Sequence, residues 1–220
     1  MNGLVITIGG IKGGTGKTTI ATNLAVAIAN LRKRVLLVDA DDQKSSFDWA
    51  TQREETESKL PEASLAPITT ICLNGKSLHN QIQKMKSDYD VIIIDTGGRD
   101  NTSQRSALVV SDKFIVPFQP RSFDIWTLRQ VENLVEEILL VNDKLQSYFV
   151  INQSDYQGSD NEDSIAILSE MKTFKRIPIN LGKRKAYPNA AADGIGIFEA
   201  SRIDKKAQAE VKMLQEYIYS

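Results

Sequence analysis

Lys12-Gly13-Gly14-Thr15-Gly16-Lys17-Thr18-Thr19 follows the short apolar run Leu4-Val5-Ile6-Thr7-Ile8 and opens a helix-period stretch over 19–31. Glycines at this density let the backbone curl so that successive N–H groups point inward. A helix that starts there aims its positive dipole end at the same spot. The octet therefore reads as a phosphate-binding loop, with Gly13, Gly14, Thr15, Gly16 and Thr19 supplying the backbone around a nucleotide's phosphates. Lys17 is spaced to reach the β- and γ-phosphates, and the Thr18 hydroxyl to ligate Mg²⁺. The general pattern G-x-x-x-x-G-K-[ST] would put its first glycine at position 11, where this chain has Ile11, and a second lysine, Lys12, stands early in the loop instead.

Outward from this loop, short apolar runs alternate with longer helix-period stretches. Strands are expected over 4–8, 35–38, 69–73, 91–94, 114–116, 148–151 and 176–179, and helices over 19–31, 78–85, 102–110, 124–140, 162–172 and 204–218. Runs such as Val91-Ile92-Ile93-Ile94 are continuously apolar, as strands covered on both faces require. The alternation predicts an α/β fold, a mostly parallel twisted sheet with helices on both faces. The polar segment 53–67, rich in Glu and Ser with two prolines, reads as a loop.

At 220 residues the chain has the length of one α/β domain, and a single unit over 1–220 is expected. The net charge is −1, so any contact with nucleic acid must come from a local patch. Cys72 and His79 are the only residues of their types, which excludes a disulfide within the chain and a Cys/His metal cluster. Met1-Asn2-Gly3 carries no basic leader region and no apolar run is long enough to span a bilayer, so a cytoplasmic protein is expected.

In its phosphate loop the chain resembles the deviant P-loop (deviant Walker A) NTPase family of the ParA-type partition ATPases and MinD-type cell-division ATPases, whose signature reads K-G-G-x-G-K-[ST]. In that family the early lysine crosses a dimer interface to the partner's nucleotide. The resemblance thus implies that Lys12 acts in trans, that the cofactors are ATP and Mg²⁺, and that ATP holds a homodimer together. The cysteine and histidine counts set aside the nitrogenase-reductase and iron–sulfur carrier branches of the superfamily.

Chemistry in such sheets sits at the carboxyl ends of the strands. The second predicted strand ends Asp39-Ala40-Asp41-Asp42-Gln43, resembling the family's D-x-D-P-Q segment with Asp42 in place of proline. The resemblance assigns Asp41 to the attacking water and Asp39 to the vicinity of the Mg²⁺ shell; a solvated acidic turn is the plainer alternative. Four buried-type residues followed by Asp95 fit a Walker B carboxylate that holds Mg²⁺, and Gly97-Gly98 fits a switch loop. Arg99 and Asp100 follow, either bridging a dimer or forming an exposed ion pair. Asn152 matches the position where relatives set an asparagine against adenine, though it serves equally as a turn residue. No N-K-x-D guanine motif is present there, which favours ATP. The segment from Phe118 to Asp124 also resembles a family stretch leading to the dimer face, with Asp124 a possible N-cap.

Charge is unevenly distributed. Residues 111–171 carry four basic and eleven acidic side chains, whereas 172–220 carry ten basic and five acidic. Lys183, Arg184, Lys185, Arg202, Lys205 and Lys206 are the candidates for a surface facing non-specific DNA, against the alternative of ordinary solvated lysines. About three phosphate contacts per subunit predict a slope of log affinity against log salt of about −3, doubled in a dimer. Ile203, Ala207, Val211, Leu214 and Ile218 form a stripe expected to pack on the sheet, and no membrane partner is expected. The first strand begins at once, where larger partition proteins carry a DNA-binding domain ahead of the ATPase, so the resemblance implies that recognition of a specific site is expected to fall to a ParB-like DNA-binding partner. The whole implies a short ParA-like partition ATPase. A cargo-positioning or conjugative-transfer ATPase, a MinD-like division regulator and a metabolic P-loop enzyme are the alternatives.

Overall fold

Val5-Ile6, Leu36-Leu37-Val38 and Val91-Ile92-Ile93-Ile94 are wholly buried and lie side by side in the middle of one sheet. The computed structural model describes residues 3–59, 65–98, 102–120, 125–155 and 160–219. Its strands are β1 (Leu4–Ile8), β2 (Val35–Ala40), β3 (Ile68–Cys72), β4 (Val91–Thr96), β5 (Lys113–Phe118), β6 (Gln146–Ser154) and β7 (Phe174–Gly182). They run in the order β3-β2-β4-β1-β5-β6-β7, and each neighbouring pair is parallel. All seven expected strands are present, and five of them are two to five residues longer than the apolar runs suggest.

Alternation along the strands feeds two cores. Ile6, Leu37, Ile93 and Ile115 face α1 (Lys17–Ala29) and α8 (Lys205–Tyr219). Val5, Leu36, Ile92 and Ile94 face α3 (Leu78–Met85) and α4 (Thr102–Val110). On that second side Phe114, Val116, Phe149 and Ile151 pack with α5 (Ile125–Leu139) and with Leu168 of α6 (Asp160–Leu168). Each fully buried Ile, Leu or Phe contributes roughly 1.5–3 kcal/mol, so the strands that carry the site are also the most firmly held. Register then aligns the chemistry, because Asp95 on β4 lies level with Ile8 on one side and with Asp39 on the other. The phosphate loop and two carboxylates thus share one edge of the sheet, at the point where successive strands depart to opposite sides of β1.

Two helices depart from expectation. The predicted loop over 53–67 begins inside α2 (Ser45–Lys59), and 60–64 lie outside the described residues. The buried face of α2 is Ser46, Trp49 and Arg53, a helical spacing with only one apolar member. Arg53 is buried because its guanidinium meets Glu199 and the carbonyls of Gly194 and Ala66, all distant in sequence. No apolar periodicity announces such a helix. The second is α7 (Ala186–Ala192), seven residues with Pro188 in its first turn, where a missing N–H costs nothing. In α8 the stripe Ala207, Val211, Leu214 and Ile218 is buried, but Ile203 is 64% exposed and precedes the helix, so it leaves the predicted stripe. Asp204 satisfies the first turn instead, accepting the backbone N–H groups of Lys206 and Ala207.

Candidate active site

β1 ends at Ile8, and the chain curls through residues 9–16 into α1. Gly16 makes the last turn with φ +89, and a Cβ there would stand 2.2 Å from Asn152 Nδ2, so both the backbone and its neighbour demand glycine. Lys17, in the first turn of α1, is buried and donates from Nζ to the Lys12 carbonyl at 2.9 Å. Burial holds its ammonium below the ordinary lysine range, with the carboxylates of Asp95 and Asp41 opposing that shift. Thr15 is buried under the loop, Thr18 and Thr19 are half-buried, and Gly13, Gly14 and Lys12 are exposed at the lip.

Asp95 is the most desolvated charge of the site, and burial pushes its carboxyl up to about 7. Its Oδ2 accepts from Thr18 Oγ1 at 2.7 Å and from Ser46 Oγ at 2.5 Å. Its Oδ1 is buried with no hydrogen-bond partner among the described residues. An orphaned, dry carboxylate oxygen beside a threonine hydroxyl is a hard-oxygen donor set, which fits Mg²⁺. Asp39 differs: its Oδ1 accepts from Asp41 N–H and its Oδ2 from Phe47 N–H, and burial raises its carboxyl. It clamps the loop between β2 and α2. Asp41 is half-buried and packs on Gly97, while a Cβ on Gly98 would fall 2.8 Å from Gly13 N. The loops after β2 and β4 therefore close on the phosphate loop around a cleft of about 690 Å³, lined by Lys17, Thr18, Asp41, Gly98 and Gln153 among others.

Three amides brace the loop from the β5 and β6 ends. Asn152 Nδ2 donates to the Thr15 carbonyl at 2.7 Å, and Gln119 and Gln153 both donate to the Gly14 carbonyl. Asn152, expected against adenine, is buried with its amide N–H committed to the loop backbone. Gln153 lines the cleft and adopts φ +54 to do so. Ser46 and Gln153 carry no sequence signal, since neither lies in a motif, and Gln119 belongs to the 118–124 segment, whose resemblance points to a dimer face and not to the phosphate loop. Arg99, Asp100 and the 121–124 stretch with Asp124 lie outside the described residues.

The two basic clusters come together. Lys185, Arg202, Lys205 and Lys206 line one groove of about 460 Å³ between α7 and the start of α8, which also holds Asp193 and Asp204. Lys183 is exposed outside it. Arg184 is a correction to the expected set: its side chain is 10% exposed and its guanidinium is paired with Glu210 of α8. A larger cleft of about 850 Å³ lies beside α2 and the edge strand β3, where Glu54, Glu57 and Asp88 mix with Arg32 and Lys33 and no phosphate loop converges.

A model of the CobQ/CobB/MinD/ParA nucleotide binding domain matches residues 6–197. The chain is similar to Maintenance of carboxysome distribution protein A of Halothiobacillus neapolitanus, 25% identical over 98% of this chain and 96% of that protein. It is equally similar to the virulence plasmid ParA family protein pGP5-D of Chlamydia psittaci, 25% identical over 93% of this chain and 96% of that one. The septum site-determining protein MinD from Pyrococcus horikoshii, solved with Mg-ADP, shares the fold at a TM-score of 0.71 and 20% identity, over 97% of this chain and 95% of that one.

Proposed function

This chain belongs to the CobQ/CobB/MinD/ParA nucleotide-binding family, and from that premise we propose that it is a Mg²⁺-dependent ParA-like ATPase, one unit over 1–220. The observation that carries this reading is the closure of the lysine-bearing phosphate loop on Asp95, whose free Oδ1 stands beside Thr18. Thr18 and Asp95 would hold the cation, and Asp39 shapes the loop behind them. Mg²⁺ held there would supply positive charge against a nucleotide's phosphoryl oxygens. Lys17 leaves the Lys12 carbonyl for the phosphates, and Asp41 orients the attacking water. Lys12 of the partner subunit completes the charge clamp in an ATP-held dimer. Asn152 fixes the loop that receives the nucleotide.

Dimerisation sets two basic grooves, Lys185, Arg202, Lys205 and Lys206 from each subunit, against non-specific DNA, with Lys183 flanking them. A ParB-like partner that recognises a centromere site stimulates hydrolysis, and the protein works on the nucleoid in the cytoplasm. A second reading, positioning of a protein cargo by the same switch, draws support from the full-length likeness to the carboxysome distribution protein. The MinD-like membrane reading is disfavoured because the apolar stripe of α8 is spent on α1 and β7. Among the described residues no helix is long and apolar enough to cross a membrane.

The test is DNA retention and solution mass of wild type and Lys12→Ala without nucleotide, with ADP and with ATP. Dimers that form and retain DNA only with ATP, and are lost in Lys12→Ala, are expected. Tight ATP binding with no salt-sensitive DNA retention refutes the DNA arm.

A further inference from the structure

Asp95 is held by two hydroxyls that arrive from different helices. Thr18 reaches it from the first turn of α1 and Ser46 from the first turn of α2, and both donate to the same oxygen, Oδ2. Oδ1 is equally buried and takes no hydrogen bond from the described residues. Two donors on one oxygen fix the plane of a carboxylate and leave the other oxygen as its available acceptor. Thr18 belongs to the phosphate loop, whereas Ser46 belongs to no motif.

The placement of Ser46 is built by its neighbours. Lys44 turns the chain into α2 through a left-handed backbone, φ +54, with its N–H on the Asp41 carbonyl. The next residue after Ser46, Phe47, gives its N–H to Asp39 Oδ2 at 2.9 Å. The carboxylate of β2 thus seats the first turn of α2, and that turn delivers a fully buried hydroxyl to the carboxylate of β4.

We propose that Ser46 is a positioning residue of the metal site, which orients Asp95 so that Oδ1 serves Mg²⁺ or a water in its shell. The inference rests on the Mg·nucleotide reading above and adds a residue to it. Removing this hydroxyl weakens the cation about tenfold or more and leaves metal-free nucleotide binding unchanged, as outer-shell partners of metal ligands do.

The experiment is Mg²⁺ titration of a fluorescent ATP analogue bound to the full chain, after a first titration of nucleotide in EDTA, with thermal melts alongside. Wild type is compared with Ser46→Ala, Ser46→Thr and Thr51→Ala. Thr51 bonds the Phe47 carbonyl in the same helix and does not touch Asp95, so it reports on a merely structural effect. A raised Mg²⁺ half-saturation in Ser46→Ala alone, with Ser46→Thr close to wild type and nucleotide affinity in EDTA unaltered, supports the assignment. Wild-type Mg²⁺ half-saturation in a folded Ser46→Ala, or an equal rise in Thr51→Ala, overturns it. A wild type that binds nucleotide with no response to Mg²⁺ overturns the underlying site reading, and this inference with it.

Discussion

Replacing Arg202 and Lys205 with alanine tests whether the groove between α7 and α8 holds DNA phosphates. Lys185, Arg202, Lys205 and Lys206 line it, and Arg184 does not contribute because Glu210 neutralises it. With about 0.9 of a released counterion per contact, four contacts give a slope of log affinity against log salt of about −3.6 for one subunit and about −7 for a dimer. Raising salt from about 50 to about 200 mM then weakens an ATP dimer about 10⁴-fold and a single subunit about 10²-fold. Arg202→Ala with Lys205→Ala removes two contacts per subunit, and the dimer's slope falls to about −3.6. Arg184→Ala leaves the slope unchanged and lowers the melting temperature, since it strands the Glu210 carboxylate and the tie between α8 and the end of β7. The assay is filter retention or fluorescence anisotropy on non-specific duplex DNA across a salt series with ATP. A slope that stays near −7 in the double variant, or that drops as far in Arg184→Ala, refutes the assignment.

Three further outcomes follow from the geometry. Arg53→Ala leaves the Glu199 carboxylate, 5% exposed, without its cation and costs about 3–5 kcal/mol in urea unfolding. Without metal, Asp95 is protonated in the folded chain and ionised in the unfolded chain between pH 3.8 and about 7, so stability falls as pH rises through that window and levels off above it. Asp95→Asn abolishes this slope in EDTA, and with it the response of nucleotide binding to Mg²⁺; an unchanged slope would assign it to another group. Gly16→Ala forces a side chain into φ +89 and against Asn152 Nδ2, and equilibrium titration should show nucleotide affinity down about tenfold or more, from about 1–2 kcal/mol of backbone strain plus the lost brace.

The phosphate loop, the seven strands and the acidic residues at their ends were legible because each is written in contiguous residues. A glycine-rich turn, a run of isoleucines and the aspartate that ends it specify local geometry whatever lies elsewhere in the chain. The parallel order of the strands followed from the alternation of apolar runs with helical stretches, and the sheet is of that kind. Other features depended on partners far away in sequence. The sequence of α2 reads as partly loop because its buried face includes Arg53, whose burial is permitted by Glu199, 146 residues on. Arg184 reads as a DNA contact in a run of three basic residues, but Glu210 of α8 claims its charge. Ile203 continued a helical stripe by spacing, but the helix starts after it and leaves it in solvent. Asn152, expected just past a strand, lies inside β6, and only the approach of the phosphate loop decided that its amide binds Thr15. Ser46 is the clearest case, a serine in no motif whose hydroxyl meets the Asp95 carboxylate once β2 and β4 lie in register. By itself the sequence determined where the backbone turns and which segments leave water, because apolar periodicity and turn chemistry act over a few residues. Tertiary structure alone decided which charges are neutralised and which hydroxyls reach a carboxylate, because hydrogen bonds and ion pairs act over a few ångströms between residues that the chain order keeps far apart.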